Sequence, residues 1–284
     1  MPPSDGMIDA HQHYWEPARG DYGWLTPDLA PLYRPFGPDD LAPHLERHGI
    51  NRTILVQAAP TVEETRYMLD LAAASPSVAG IVGWVDFSAA DAPAVIADLA
   101  SDPLLVGLRP MVQDIPDDDW LLRPDLAPAF RALVAHGLVF DALALPRHLS
   151  RLLVVVDRHP GLAVVIDHGA KPFIKDGRLD PWRADMAALA ARPNVVCKLS
   201  GLVTEAGPDW SVETLRPYVD HLLAVFGPER LLWGSDWPVV NLAGGYDRWR
   251  EASLVLLAGL TEAERAALLG GNAARLYLLT RGRI

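Results

Sequence analysis

Short apolar runs alternate with helical patterns along the whole chain of 284 residues, and this alternation constrains the fold more than any other feature. Apolar runs without a polar face are typical of strands that are covered on both sides, as in a parallel sheet. The predicted strands are 7–13, 53–58, 78–84, 105–109, 138–143, 162–167, 195–199 and 230–233. The predicted helices are 38–48, 61–74, 92–100, 124–136, 150–158, 181–191, 212–226 and 262–269. The alternation predicts an α/β fold, a single (β/α)8 TIM barrel over residues 1–284.

The connections between these elements differ in length according to their direction. Those from helix to strand are short and turn-like, and they comprise 49–52, 75–77, 192–194 and 227–229. Several from strand to helix are long, and they comprise 14–37, 110–123, 169–180, 200–211 and 234–249. In a TIM barrel the strand-to-helix loops build the active site at the C-terminal face. We therefore expect the functional residues at the carboxyl ends of the strands.

Composition excludes several classes of partner. A net charge of −11 argues against nucleic acid and against anionic membranes, because both select for basic patches. The N-terminus lacks a basic region followed by an apolar run, and no apolar stretch is long enough to span a bilayer. The single cysteine, Cys197, cannot form an internal disulfide, which fits a reducing compartment. We expect a cytoplasmic protein that binds a small molecule, and a homo-oligomer is compatible with the sequence.

The first predicted strand carries two histidines. Side chains alternate along a strand, so Asp9, His11 and His13 are predicted to share one face, and the residues between them the other. Two imidazoles on one face, two residues apart, can bind one metal ion. The alternative for this fragment is a pair of hydrogen-bonded histidines without metal.

Residues at two other strand ends complete a candidate metal site. His168 follows strand 162–167 and Asp236 follows strand 230–233. With His11 and His13 they suit one divalent ion, zinc being expected because the ligands are rich in nitrogen. Water on such an ion loses a proton near neutral pH, and a carboxylate beside it can accept that proton. Each residue also has a structural alternative: a hydrogen bond across the mouth for His168, a helix cap for Asp236, and an ion pair for Arg109.

Six segments of the chain resemble the amidohydrolase superfamily, and more narrowly its amidohydrolase-2 group, which contains sugar-acid lactonases. They are Ile8-Asp9-Ala10-His11-Gln12-His13-Tyr14-Trp15, the loop with Tyr22 and Trp24-Leu25, Gly107-Leu108-Arg109-Pro110, Asp167-His168-Gly169-Ala170-Lys171-Pro172, Lys198-Leu199-Ser200-Gly201 and Gly234-Ser235-Asp236-Trp237-Pro238. The first and the last are the most specific to the lactonase branch. The resemblance implies hydrolysis of a lactone ester, with His11, His13 and His168 at the metal or electrophile site and Asp236 as general base.

The chain departs from the two-metal members of that superfamily. Those enzymes have a carboxylated lysine on a middle strand, whereas strand four here ends in Arg109 and strand seven in Lys198. We therefore expect one metal ion and not two, and a metal-free mechanism remains as an alternative because the group contains such members. Arg109 and Lys198 are candidates to polarise the lactone carbonyl or to hold a carboxylate. The second role keeps open a decarboxylase of an acidic aromatic substrate.

Six tryptophans stand at strand ends or in strand-to-helix loops: Trp15, Trp24, Trp84, Trp120, Trp210 and Trp237. Indole faces suit the C–H face of a sugar ring, although long loops also need aromatic residues for their own packing. The candidate substrate-contacting residues are Trp15, Trp24, Trp84, Lys171 and Trp237. A catalytically silent barrel would show a disrupted set of site residues, and none is disrupted.

The remaining histidines and the cysteine are assigned no chemistry. His44, His48, His136, His148, His159 and His221 lie on predicted helices or their ends, which predicts surface positions. Cys197 faces away from Lys198 on the same strand, which predicts a packing role.

Overall fold

The computed structural model describes residues 6–279 and 282. Eight parallel strands form one sheet in chain order. They are β1 (Met7–Gln12), β2 (Ile50–Val56), β3 (Val78–Gly83), β4 (Leu105–Leu108), β5 (Val139–Ala142), β6 (Val164–Ile166), β7 (Val195–Leu199) and β8 (Leu231–Trp233). All eight predicted strands are confirmed, and only β2 begins clearly outside its predicted range.

Helices cover the outside of the sheet. They are α1 (Pro38–His48), α2 (Val62–Ala74), α3 (Ala92–Leu99), α4 (Ala127–His136), α5 (Leu149–Arg158), α6 (Trp182–Ala190), α7 (Leu202–Glu205), α8 (Val212–Phe226), α9 (Gly245–Leu256) and α10 (Glu262–Ala266). The prediction that helix 262–269 directly follows the eighth strand is wrong. Helix α9 follows β8, and α10 comes after it. Helix α9 starts at two glycines without a side-chain cap, so its start carries no sequence signal.

The barrel closes between β8 and β1 at the C-terminal face. The His13 backbone N–H donates to the Trp237 carbonyl at 2.7 Å, and the Asp236 N–H donates to the His11 carbonyl at 2.8 Å. With the consecutive strand order, these bonds confirm the predicted (β/α)8 barrel. Gly234 permits the close approach, because a Cβ there would lie 2.6 Å from His11 Cβ.

The barrel interior is apolar in its lower half and is closed from below by the segment Ala274–Leu278. One buried cluster contains Ile8, Val56, Val139 and Leu232 with other inward-facing strand residues. Tyr277, on the π-helical segment Ala274–Leu278, belongs to the same cluster. The C-terminal segment therefore forms the floor of the barrel, beneath the charged groups described below.

A bulge in β1 breaks the predicted alternation around the histidines. Asp9 pairs with Thr53 and Gln12 with Leu55, so three steps along β1 match two along β2. Asp9 accordingly accepts a hydrogen bond from Tyr246 Oη on α9 at 3.1 Å, outside the barrel wall. The prediction that Asp9 shares a face with His11 and His13 is wrong, because the extra residue turns its side chain outward.

No helix among the described residues is both long enough and apolar enough to cross a bilayer.

Candidate active site

Four side chains predicted from the sequence converge at the mouth of the barrel. Asp236 Oδ1 lies 3.3 Å from His13 Nε2, 3.7 Å from His11 Nε2 and 3.9 Å from His168 Nε2. The Nε2 atoms of His11 and His13 are 3.2 Å apart. All four residues are at least 96% buried. Their nitrogen and oxygen atoms therefore surround one point at the carboxyl ends of β1, β6 and β8.

Two of these residues have an unusual backbone conformation. His168 has φ 54° and Asp236 has φ 58°, in the left-handed region that residues other than glycine rarely adopt. Such strain persists only where surrounding contacts enforce it, and it is concentrated at functional sites. Gly201 (φ 62°) leaves room for the His168 ring, because a Cβ at residue 201 would lie 2.4 Å from His168 Nδ1. The backbone is thus shaped around the orientation of these two side chains.

Hydrogen bonds behind the imidazoles set their orientation. His13 Nδ1 donates to the Val56 carbonyl at 2.8 Å, so its Nε2 carries the free lone pair toward Asp236. His168 Nδ1 is 2.9 Å from Ser200 Oγ, and its Nε2 points into the site. Two imidazole nitrogens are therefore presented to the same point by groups at the ends of β2 and β7.

Burial and mutual contact determine the protonation of this group. Burial lowers the pKa of His168 to about 4, and it lowers the pKa of His11 well below its ordinary value, with Lys198 adding to the effect. Burial alone would raise the pKa of Asp236, but the three neighbouring imidazoles outweigh it and hold that pKa well below its ordinary value. At neutral pH the site therefore presents an ionised carboxylate beside neutral His11 and His168.

A second layer of charged groups lies beneath His11, and we call Lys198, Asp141, Asp167 and Tyr277 the lower layer. Lys198 Nζ lies 2.5 Å from Asp141 Oδ2, 3.0 Å from Asp167 Oδ1 and 3.1 Å from His11 Nδ1. Tyr277 Oη donates to both oxygens of Asp141, at 3.0 and 2.9 Å. All four of these side chains are fully buried. They orient His11 from below.

The position of Lys198 corrects its predicted role. The sequence predicted that it polarises the substrate or binds a carboxylate, but its ammonium is enclosed by Asp141, Asp167 and His11. It lines neither cavity described below. Lys198 precedes the last residue of β7, so its side chain lies one layer deeper than residues that follow a strand. It is a positioning residue and does not reach a substrate.

Arg109 links the two layers. Its Nε donates to Gln57 Oε1 at 2.9 Å, and one Nη1 N–H donates to Asp167 Oδ2 at 3.2 Å. The same Nη1 lies 3.4 Å from His11 Nε2. Arg109 also lines the cavity above the histidines. Its guanidinium is held rigidly by barrel groups while one edge faces the site.

The residues present fit a bound metal ion. The described residues include two groups with metal-ligand spacing: His11, His13 and Asp236, and His11, Asp167 and His168. An imidazole that binds a metal through Nε2 carries its proton on Nδ1, which then needs an acceptor. Asp167 Oδ1 is buried and 3.5 Å from His11 Nδ1, and it accepts no hydrogen bond from the described residues despite its ion-pair contact with Lys198. That unused acceptor suits the second nitrogen of a metal-binding His11.

Two neighbouring cavities open at this face. The first, which we call the catalytic cavity, measures about 180 Å³ and is lined by residues that include His13, Arg109, His168, Lys171 and Asp236. The second, which we call the aromatic cleft, measures about 380 Å³ and is lined by residues that include Trp24, Trp84, Phe87, Met111 and Trp120. Trp24, Met111 and Asp114 belong to both walls.

The predicted substrate-contacting residues divide between these cavities and the loop core. Trp24 and Lys171 line the catalytic cavity, and Trp84 lines only the aromatic cleft. Trp15 and Trp237 are 1% and 2% exposed, line neither cavity, and pack edge to face against Phe36 with ring centres 5.5 and 5.2 Å apart. Their predicted substrate contact is therefore replaced by a packing role, because the long loops need their own aromatic core.

The family of the chain follows from comparison with known proteins. The amidohydrolase family model described as Amidohydro_2 matches residues 8–279. The chain belongs to this amidohydrolase family. It is 50% identical over 280 residues to an L-fucono-1,5-lactonase from Burkholderia ambifaria, with 96% of each chain covered. It is also 38% identical over 296 residues to an L-fucono-1,5-lactonase from Burkholderia multivorans, again with 96% of each chain covered.

A solved structure supports the same family. An amidohydrolase from Burkholderia multivorans, crystallised with bound zinc, is 37% identical to the chain and superposes with a TM-score of 0.89. The alignment covers 95% of this chain and 98% of that one.

Sequence reasoning missed several residues that shape this amidohydrolase site. Asp141, Gln57, Ser200 and Tyr277 each contact a predicted site residue. Asp141 carried a signal, since an acid inside an apolar strand needs a buried partner. Tyr277 carried none, because nothing in the sequence indicates that the chain end enters the barrel floor.

Two predictions about the remaining histidines and the cysteine have different outcomes. His148 was predicted to lie at the surface, but it is fully buried and its Nδ1 accepts from the Leu145 N–H at 3.1 Å. It is the last residue of the 3-10 turn Pro146–His148, which precedes α5. The cysteine prediction is confirmed, since Cys197 is fully buried in the core cluster, and burial raises the pKa of its thiol.

Proposed function

We propose that this amidohydrolase hydrolyses the lactone ester of a sugar acid. The observation that carries the proposal is the likeness to L-fucono-1,5-lactonase, at 50% identity over 96% of each chain. The catalytic cavity agrees with it, because about 180 Å³ is below the ~300 Å³ at which pockets for drug-sized ligands begin. A cavity of that size suits one small lactone ring.

The nucleophile in this proposal is water, and Asp236 receives its proton. The Asp236 carboxylate is ionised, and its Oδ1 lies at the centre of the three imidazoles. Water attacks the lactone carbonyl, the tetrahedral intermediate collapses, and Asp236 returns the proton to the departing ring oxygen. The low pKa makes Asp236 a weak base, so the water must be acidified by neighbouring positive charge.

Arg109 is proposed to stabilise the oxyanion that develops on the carbonyl. Its guanidinium lines the catalytic cavity and is fixed by Gln57 and Asp167, so it needs little reorganisation during the reaction. Lys171 also lines the catalytic cavity and can donate to a substrate hydroxyl or carboxylate. Trp24 supplies an indole to the same cavity.

One zinc ion is the proposed cofactor, held by His11, His13, His168 and Asp236. Zinc in such a site supplies a Lewis acid that lowers the pKa of bound water. The convergence of three imidazoles on the Asp236 carboxylate supports this assignment, as does the zinc in the related crystal structure.

The test of the proposal is a proton-release assay over a panel that includes L-fucono-1,5-lactone and other aldonolactones, with metal content measured on the same preparation. We expect lactone turnover and about one zinc per chain, and exhaustive chelation should abolish the activity. Full activity in metal-free protein would rule out zinc as the cofactor and leave the lactonase assignment in place. Carbon dioxide release from acidic aromatic substrates, with no lactone turned over, would contradict the lactonase assignment and support a decarboxylase.

A further inference from the structure

We propose that the aromatic cleft is a second sugar-binding subsite, which accepts a neutral glycosyl unit attached to the lactone in the catalytic cavity. This inference rests on the proposed lactonase function and extends its substrate class from a single sugar acid to a glycosylated one. The starting observation is that the cleft, at about 380 Å³, is roughly twice the volume of the catalytic cavity beside it. A single lactone ring leaves the cleft empty.

The cleft is continuous with the site of chemistry. Trp24, Met111 and Asp114 form part of both walls, so a ligand that leaves the catalytic cavity past these residues enters the cleft directly. Both spaces are built by loops at the C-terminal face, which is where substrates bind in this fold. The cleft therefore lies within reach of a substituent on a bound lactone.

The aromatic side chains of the cleft suit the binding of a sugar ring. Trp24, Trp84 and Trp120 present indole groups to one space, and Trp84 and Trp24 are partly exposed there. Among the described residues, the indole N–H groups of Trp84 and Trp120 donate to no protein acceptor, whereas that of Trp24 donates to the Ala58 carbonyl at 2.7 Å. Two indole N–H groups of cleft residues thus have no acceptor among the described residues, and an indole N–H can donate to a sugar hydroxyl.

Charge disfavours anionic occupants of the cleft. The ionisable groups in the cleft wall are the carboxylic acids Asp86 and Asp114. Asp86 Oδ1 accepts from Ser88, and Asp114 Oδ2 has a long contact of 3.4 Å with Gln113 Nε2, which leaves acceptor capacity on both carboxylates. Carboxylates repel acidic sugars and are poor partners for an alkyl chain, while they accept hydrogen bonds from hydroxyls. A neutral glycosyl ring satisfies both the indole and the carboxylate groups.

The experiment compares L-fucono-1,5-lactone with its three mono-O-glucosyl derivatives, which carry glucose on O2, O3 or O4. We expect at least one derivative to be hydrolysed with a kcat/KM equal to or above that of the parent lactone. If the parent is hydrolysed but every derivative falls below about a hundredth of its kcat/KM, the subsite is overturned while the lactonase stands. If no lactone is hydrolysed, the proposed function itself fails.

Two variants test the cleft from opposite directions. Trp84→Ala removes an indole face, and Ile115→Trp adds a large side chain to the lining of the cleft. Each should lower kcat/KM for the accepted derivative about tenfold and leave the parent lactone within about twofold. Phe173→Ala is the control, since Phe173 is exposed and lines neither cavity. Equal losses on parent and derivative in both variants would contradict the proposal.

Discussion

Two layers of ionisable groups lie at the mouth of this barrel, and they differ in how completely their members bind one another. We call His11, His13, His168 and Asp236 the upper layer. Of these, His13, His168 and Asp236 line the catalytic cavity. In the lower layer Lys198 is surrounded by Asp141, Asp167 and His11, and Tyr277 closes the set from below. The upper layer faces the cavity and can bind a ligand there, whereas the lower layer is enclosed beneath it.

Buried charge therefore has two uses in this fold. Burial raises the pKa of Asp141 to about 6, although Lys198 opposes that shift, which shows how costly its ionised form is without a partner. The same burial, combined with three imidazoles, leaves Asp236 ionised and free to accept a proton. Mutations in the lower layer should therefore act first on stability, and mutations in the upper layer first on turnover.

The largest expected effect is on stability, from Lys198→Met. The change preserves much of the side-chain volume but leaves Asp141 and Asp167 buried without their shared cation. Removing one partner of a buried ion pair costs about 3–5 kcal/mol of unfolding free energy. Urea denaturation at pH 7 measures it, with Lys175→Met as the control because Lys175 is exposed. A loss of less than about 1 kcal/mol in both variants would show that the ion pairs of Lys198 contribute little to stability.

Asp236→Asn should have the largest effect on catalysis. Asparagine keeps the shape of the side chain but cannot accept the proton of water, so kcat should fall on the order of a hundredfold or more. Its denaturation midpoint should stay much closer to the wild type than that of Lys198→Met. The measurement is proton release with the best aldonolactone, beside elemental analysis to separate lost basicity from lost metal. An unchanged kcat at full metal content would exclude Asp236 as the base.

The sequence predicted the fold and the upper layer well because both depend on strand ends. Arg109, His168 and Asp236 follow β4, β6 and β8, and apolar runs locate those ends to within a residue or two. How deep a side chain lies in the barrel depends on its position relative to the end of its strand. Lys198 and Asp141 each precede the last residue of their strands, whereas the cavity residues follow theirs, and this shift of two to four positions places them in the layer below the cavity wall.

Other features depended on contacts that no local pattern contains. The bulge that turns Asp9 outward results from closing β1 against its neighbours. Helix α9 buries Tyr246, Trp249, Ser253 and Leu256 at helical spacing, but it is stabilised by that packing and not by a start signal. Trp15 and Trp237 could not be separated from Trp24 by sequence, because all three stand in the same kind of loop.

A smaller loss of stability is expected from Tyr277→Phe than from Lys198→Met, although both residues belong to the lower layer. The change removes only the hydroxyl that donates to Asp141, while Lys198 stays in place. Hydrogen bonds to charged groups contribute about 1.5–3 kcal/mol, so the loss should be less than that from Lys198→Met. Denaturation at pH 7 checks the order, with Tyr33→Phe as control because Tyr33 is exposed. A kcat reduced more than about tenfold would instead place Tyr277 in the chemistry.

The smallest effect is expected in a cluster of charged groups at the surface. Its members contact one another as those of the lower layer do, but they are accessible to solvent. Asp247 on α9 contacts His48 Nε2 at 2.8 Å and His44 Nδ1 at 3.2 Å, and it also pairs with Arg47. The His48 contact is the main reason that the pKa of Asp247 is lowered to about 2. Because its side chain is 38% exposed, solvent screening should limit the loss in Asp247→Asn to less than about 1 kcal/mol.

The pH dependence of that loss has a definite sign. A carboxyl whose folded-state pKa is lowered stabilises the fold above its unfolded pKa, near 3.8, and the contribution disappears as the pH falls toward 2. The difference in unfolding free energy between wild type and Asp247→Asn should therefore be present at pH 5 and shrink below pH 4. Denaturation curves for both proteins at pH 7, 5 and 3 measure it. A loss as large as that of Lys198→Met would mean that burial is not what separates the two clusters.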